Sequence, residues 1–271
     1  MTPGHGIPKL MVVGAHAGDG EVMAGPLVAQ HAADGGTATL LHLTLGERGH
    51  PSLPGAEYGP QKREEAQAAA AALGADVRIG DYRDGELAAS LEAKHAVAQI
   101  IAAEQPDVVI THGPGSFHRD HAACHEIVSE AVFYAGLADL WPGRPRHIVQ
   151  AVYFAENWED KRDFAADLYI DTSRGHATWL QALRCYELFR GGLSTFPYVR
   201  YYEALAVVRG AESGTDYAKA FSVPPEARRT VVPGLLGEIP LQVTTGSSII
   251  AHDRDTQGSR ASGPPGDVPL T

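Results

Sequence analysis

The sequence predicts an α/β fold, a three-layer α/β/α sandwich around a mostly parallel sheet. Short apolar runs that read as buried strands alternate with amphipathic or alanine-rich stretches that read as helices. Strands separated by helices pair in parallel through right-handed crossovers. In addition, residues able to do chemistry follow directly on two of the apolar runs, at the strand ends where open α/β sheets collect their ligands.

The elements follow in order. Lys9 to Ala15 reads as a first strand and Val22 to Ala33 as a helix stopped by Gly35-Gly36. Thr37 to Thr44 is a second strand, followed by a loop with Gly49, Pro51, Pro54, Gly55 and Gly59. Lys62 to Leu73 is rich in Ala, Glu, Gln and Arg, all good helix formers, and Gly74 stops it. Asp76 to Ile79 is a short third strand. Leu87 to Glu104 carries Leu91, Val97, Ile100 and Ile101 at helical spacing. Asp107 to Thr111 is a fourth strand, Asp120 to Ala135 a helix and Val149 to Phe154 a fifth strand. Tyr169 to Asp171 reads as a short strand, Ser173 to Arg190 as a helix and Tyr202 to Val208 as a last strand. In a doubly wound sheet the order reverses beside the first strand, which sets strands one and four side by side. Residues 1–230 form the expected domain. Residues 231–271 are a C-terminal extension, with a Gly-, Pro- and Ser-rich end from Gly258 to Thr271 that is expected to be mobile.

Composition narrows the function. The 271 residues are 44% apolar and 20% charged, the balance of a globular protein. A formal net charge of -11 argues against nucleic acid or an anionic membrane as partner. No apolar run approaches the roughly 18 residues of a membrane span, and Met1 to Pro8 does not read as a signal peptide. Two cysteines, Cys124 and Cys185, make no disulfide framework and suit a reduced, cytoplasmic setting. Homo-oligomerisation is left open.

The chemistry lies in two clusters. His16 and Asp19 follow the first strand, and His118, Asp120 and His121 follow the fourth. Histidine nitrogen and carboxylate oxygen are common zinc ligands, and two His with one Asp leave a fourth position for water. Asp19 and Asp120 also suit helix N-termini. Glu21 is either an orienting group or a first-turn acid favoured by the helix dipole. His112 ends the fourth strand near the site as a supporting residue, and His125, one helical turn after His121, either lines the same crevice or is a surface histidine. Arg48 and Arg63 are the cations expected near the pocket, and Asp84, before Gly85, is a candidate contact to a polar substrate.

These motifs resemble the PIG-L/LmbE-like de-N-acetylases, Rossmann-like zinc hydrolases of N-acetylglucosamine-type sugars. The family's Ala-His-Pro-Asp-Asp stands here as Ala15-His16-Ala17-Gly18-Asp19, and its His-Pro-Asp-His as His118-Arg119-Asp120-His121. Thr44-Leu45-Gly46-Glu47, Arg63-Glu64-Glu65-Ala66, Asp84-Gly85 and Tyr202-Glu203-Ala204-Leu205 add to the resemblance. It implies that His16, Asp19 and His121 hold zinc or another divalent metal, that His118 polarises the amide oxygen, and that Asp120 orients the histidines. It implies an amino-sugar-like small molecule as substrate. The family's general base falls at Gly18, which cannot accept a proton. Base catalysis contributes about 10²–10⁴-fold, so weakened turnover is expected, with Glu21 and Asp120 as candidate replacements. An acid restored at position 18 is expected to raise activity if the turn admits it. The alternatives are an inactive metal- and sugar-binding homologue and a metal hydrolase of another bond.

Overall fold

A computed structural model describes residues 7–225, other than 142, 144 and 145. The expected extension, residues 231–271, lies outside the described residues, as does its Gly258 to Thr271 end. The elements are β1 (Leu10–His16), α1 (Asp19–Ala33), β2 (Ala38–Thr44), α2 (Gly55–Leu73), β3 (Asp76–Tyr82), α3 (Leu91–Glu104), β4 (Val108–His112) and α4 (Arg119–Ala135). They continue with β5 (Ala151–Ala155), β6 (Leu168–Asp171), α5 (His176–Leu183), α6 (Glu187–Arg190), α7 (Tyr198–Ser213) and β7 (Ala218–Ser222). A short 3₁₀ turn, Ala138–Leu140, follows α4.

The seven strands form one sheet in the order β3-β2-β1-β4-β5-β7-β6. β1 to β5 are parallel, and β7 is inserted antiparallel between β5 and β6. The order reverses beside β1, as the doubly wound reading requires, so the ends of β1 and β4 open on one crevice.

The central strands β1, β2 and β4 are buried on both faces, and their alternate side chains feed two cores. Leu10 and Val12 of β1 join Leu40 and Ile110 under α1, α2 and α5. Met11, Val13 and Ala15 join Leu41, Leu43 and Val109 under α3 and α4. This is the three-layer sandwich. Among the described residues, no helix is long and apolar enough to cross a membrane.

Three local expectations are corrected. Tyr202 to Val208 is not a strand but part of α7: Tyr202, Ala206 and Gly210 form its buried stripe at four-residue spacing, while Val207 and Val208 are exposed. The aromatic and β-branched residues suggested a strand, but burial follows a helical period. The last strand is Ala218–Ser222, which contains Lys219. That lysine is buried, with its Nζ donating to the Val22 carbonyl (2.6 Å) and lying over the Trp179 and Tyr202 rings. Finally, Ser173 to Arg190 is two helices, α5 and α6, broken around Arg184–Tyr186. The starts of helices move as well. α1 begins at Asp19, α2 runs back to Gly55, and α3 waits for Ser90, whose hydroxyl accepts from the Ala93 N–H (3.2 Å).

Trp179 joins α5 to α1. It is fully buried, and its Nε1 donates to the Glu21 carbonyl (2.7 Å). Trp179→Ala is expected to lower stability by about 3–5 kcal/mol, read from urea unfolding. A loss below about 1 kcal/mol would contradict this packing.

Candidate metal centre

The turn after β1 is closed by its own acid. Asp19 Oδ2 accepts the His16 backbone N–H (2.7 Å) and lies 3.1 Å from His16 Nδ1. Asp19 is the first residue of α1, whose N-cap is Gly18 without a side-chain cap, so its carboxylate reaches back to His16 rather than capping the helix as expected, and it also lines the cavity. His121, on the first turn of α4, brings Nε2 to 3.4 Å from the same oxygen. His16, Asp19 and His121 each offer one donor atom, all within 4.8 Å of one another. The three residues that the resemblance names as ligands therefore meet.

Each imidazole is held from behind. His16 Nε2 lies 3.3 Å from Asp120 Oδ2 and 3.3 Å from Asp84 Oδ1. His121 Nδ1 lies 3.1 Å from Asp160 Oδ1. The other oxygen of Asp160 takes His112 Nδ1 (2.8 Å), and His112 Nε2 accepts the Ala15 N–H (3.1 Å). Such acceptors fix the tautomer and aim the remaining nitrogen at a metal. Burial, with the His112 ring beside it, pushes His121 down to about 4, so it is the neutral imidazole a metal requires. Burial opposes charge on His16, yet the Asp19, Asp120 and Asp84 carboxylates outweigh it and hold His16 well above its usual range. Burial likewise opposes charge on Asp160, but His112 and His121 hold its carboxyl below the usual range. A neutral imidazole, a second one among carboxylates, and an acid between them form a donor set that fits a divalent cation.

His118 occupies the N-cap of α4, where its Nδ1 accepts the Asp120 N–H (3.2 Å). That bond leaves the proton on Nε2. Burial and the neighbouring His16 lower its pKa, favouring the neutral form. The ring lies 4.8 Å from His16 and 4.6 Å from His121, on the cavity wall. Asp120 is fully buried and does not line the cavity; its Oδ2 accepts the Gly85 N–H (2.6 Å) as well as meeting His16.

The other candidates separate. Asp84 lines the cavity and also accepts the Arg48 backbone N–H (2.9 Å). The Arg48 guanidinium turns outward to Glu86 (2.7 Å). Arg63 is exposed on a different crevice, because α2 turns it away from the site. Its neighbour Lys62 faces inward instead: it is buried, donates to the Ala17 carbonyl (2.7 Å), and among the described residues is the one Lys or Arg lining this cavity. Glu21 is buried away from it, accepting from the Tyr186 hydroxyl (2.7 Å) with His42 at 3.5 Å. His125 turns to the His112 carbonyl (2.9 Å), and Cys124 is buried.

Sequence reasoning missed Glu159 and Asp160. Both lie in the turn after β5, one strand beyond the pair that carries the motifs. An acid pair past a strand end beside the switch point was the available signal. Glu159 lines the cavity with Oε2 3.3 Å from His121 Nε2, and burial together with Asp19 and Asp160 pushes it up to about 7.

The family model described as PIG-L, GlcNAc-PI de-N-acetylase, matches residues 11–132. A 1D-myo-inositol 2-acetamido-2-deoxy-alpha-D-glucopyranoside deacetylase of Rhodococcus erythropolis is 32% identical, with 55% of this chain and 67% of that one covered. The chain belongs to the PIG-L de-N-acetylase family. A deacetylase of the same description from Catenulispora acidiphila is 34% identical over 48% of this chain and 53% of its own, so this chain spans about half the length of some relatives it matches. A 4-oxalmesaconate hydratase of Pseudomonas putida is 26% identical over 75% of this chain and 80% of its own. Among solved structures, the 4-carboxy-2-hydroxymuconate hydratase of Pseudomonas putida has a TM-score of 0.74 at 24% identity, covering 83% of this chain and 100% of that one. The N,N'-diacetylchitobiose deacetylase of Pyrococcus horikoshii has 0.69 at 23%, covering 80% and 84%. At these identities the structural likeness shows the fold.

The expectation for a restored acid is conditional on the turn at position 18. Gly18 has φ 111° and ψ -27°, a conformation that L residues rarely adopt. A Cβ there would stand 3.2 Å from Phe189 Cζ. The turn therefore does not admit an acid readily, and an aromatic ring takes the space beside it. Gly18→Ala and Gly18→Asp are each expected to lose about 1–3 kcal/mol in chemical unfolding. Parental stability in both would show that this backbone is not enforced.

Proposed function

We propose that the chain is a zinc-dependent amidase that removes an acyl group, acetyl first, from an N-acetylated amino sugar or a related small molecule. One observation carries the reading: His16 Nδ1, Asp19 and His121 Nε2 converge on a cavity that His118 also faces. A divalent metal held by these three donors supplies Lewis acidity toward the carbonyl and toward a water. The chain's own groups do the rest. With its proton on Nε2, His118 donates to the oxygen where negative charge develops as the amide carbonyl is attacked. Asp120 and Asp160 keep His16 and His121 aimed, so no reorganisation is needed at the moment of reaction. Lys62, whose pKa burial lowers against the pull of Glu65 and Glu21, presents a buried amine donor to an electron-rich group of the substrate. Phe189, Leu188, Trp158 and Tyr198 form an apolar wall that limits water. Glu21 and Asp120 do not line the cavity, so neither is kept as a replacement for the acid absent at position 18.

A second reading, hydration of an unsaturated carboxylate, is favoured by the alignment to the Pseudomonas putida hydratase, which covers 80% of that protein. The two are separated by assaying metal-loaded protein for acetate release from N-acetyl amino sugars and for loss of ultraviolet absorbance with conjugated unsaturated di- and tricarboxylates. Acetate release is the expected outcome.

His121→Ala is expected to lose stoichiometric metal, and a full equivalent retained in that variant would refute the ligand set. His118→Ala is expected to keep its metal and lose about 10²–10³-fold in kcat, the usual effect of removing one oxyanion donor. Loss of metal with His118 would make it a ligand instead.

A further inference from the structure

One aromatic ring closes the cavity over the turn that carries His16 and Asp19. Gly18 lies between those two residues, and a Cβ placed on it would stand 3.2 Å from Phe189 Cζ and 3.3 Å from Phe189 Cε2. The tip of the ring therefore reaches the turn itself. Phe189 lines the cavity and is only 9% exposed, so the rest of the ring is set into the protein. Val22 lines the cavity too, one helical turn from Gly18, with its N–H donating to the Gly18 carbonyl (3.1 Å).

The ring is braced from behind. The fully buried Tyr186 packs edge-on against it at 5.4 Å, and Tyr198 at 5.6 Å. α6, which carries Phe189, is tied down on two sides. The Tyr186 hydroxyl, just before it, donates to Glu21 of α1 (2.7 Å), and the Glu187 N–H donates to Glu65 of α2 (3.0 Å). A helix anchored to two others gives this wall little room to retreat.

An amide brought to the centre carries two groups on its carbonyl carbon and nitrogen. The amine side bears the rest of the substrate and needs an opening to solvent. The acyl side needs only room for itself. A wall with a buried tyrosine and a helix behind it offers no exit, and its apolar surface suits hydrocarbon rather than hydroxyls. The acyl group therefore belongs against Phe189.

We propose that Phe189 sets the length of the acyl group that the centre accepts and holds it to acetyl, an inference that rests on the amidase reading. The bond broken is the same in every N-acyl homologue, so differences between homologues report fit against this wall. One methylene in a hydrophobic pocket changes specificity by about 10–200-fold.

The test measures amine release from N-acetyl-, N-propanoyl- and N-butanoylglucosamine by the metal-loaded parent, Phe189→Leu and Phe189→Ala. Leucine keeps an apolar side chain but draws its tip back, and alanine removes the ring. Metal content and thermal unfolding check that the variants fold and keep the centre; if alanine does not fold, leucine decides. The ratio of kcat/KM between homologues cancels any general loss of activity. The parent is expected to lose at least about tenfold from acetyl to butanoyl, and the variants to recover most of that difference. A parent that takes butanoyl as readily as acetyl, or the parental ratio in the variants, would overturn the inference and leave the amidase reading standing. A parent that releases no amine from any of the three would overturn that reading and this inference with it.

Discussion

A buried imidazole that faces a metal is fixed in tautomer and aim by an acceptor on its other nitrogen. That constraint organises the carboxyl end of this sheet. His16 comes from β1, but its Nε2 is held by Asp120 from α4 and by Asp84 from the loop after β3. His121 comes from α4, but its Nδ1 is held by Asp160 from the turn after β5. No single motif is sufficient. The strand order β1-β4-β5 brings a histidine of one segment to the carboxylate of another, so the centre exists only once the parallel sheet has formed.

The turn after β1 is fixed by contacts from other segments. It is gripped from several sides: Asp19 accepts the His16 N–H, Lys62 donates to the Ala17 carbonyl, and Phe189 lies over Gly18. α6 carries Phe189 against the cavity, while Tyr186 just before it reaches Glu21 on α1. One short segment thus supplies both the apolar cavity wall and the anchor of the first helix. The positive φ of Gly18 is part of that arrangement rather than a simple deletion of an acid.

Much of this was legible in the sequence because the signals are local. The apolar runs, their alternation with helical stretches, and the two His/Asp clusters each sit within a few residues of one another. What could not be read depends on helix rotation or on distant pairing. Arg63 and Lys62 are adjacent, and a turn of about 100° per residue sends one outward and the other inward. Asp160 pairs with His121 across 39 residues and with His112 across 48. Tyr202 belongs to a helix because Ala206 and Gly210 share its buried face, a tertiary choice that local aromatic and β-branched content disguises.

Fold and metal donors do not by themselves separate amide hydrolysis from hydration of a double bond. Both reactions use an activated water and a polarised carbonyl or carboxylate. The discriminating chemistry therefore lies in the walls. Lys62 offers a buried amine donor on one side, and Phe189, Leu188, Trp158 and Tyr198 offer apolar surface on another. An amino sugar would set its hydroxyls against Lys62, Asp84 and Asn157 and its acyl methyl against the apolar side. A polycarboxylate would meet Asp19, Asp84 and Glu159, with Lys62 and the charge of the proposed metal to offset them. The acyl methyl of an amide has the apolar wall to fill, a contact that a polycarboxylate does not use, and on that side the walls favour deacylation.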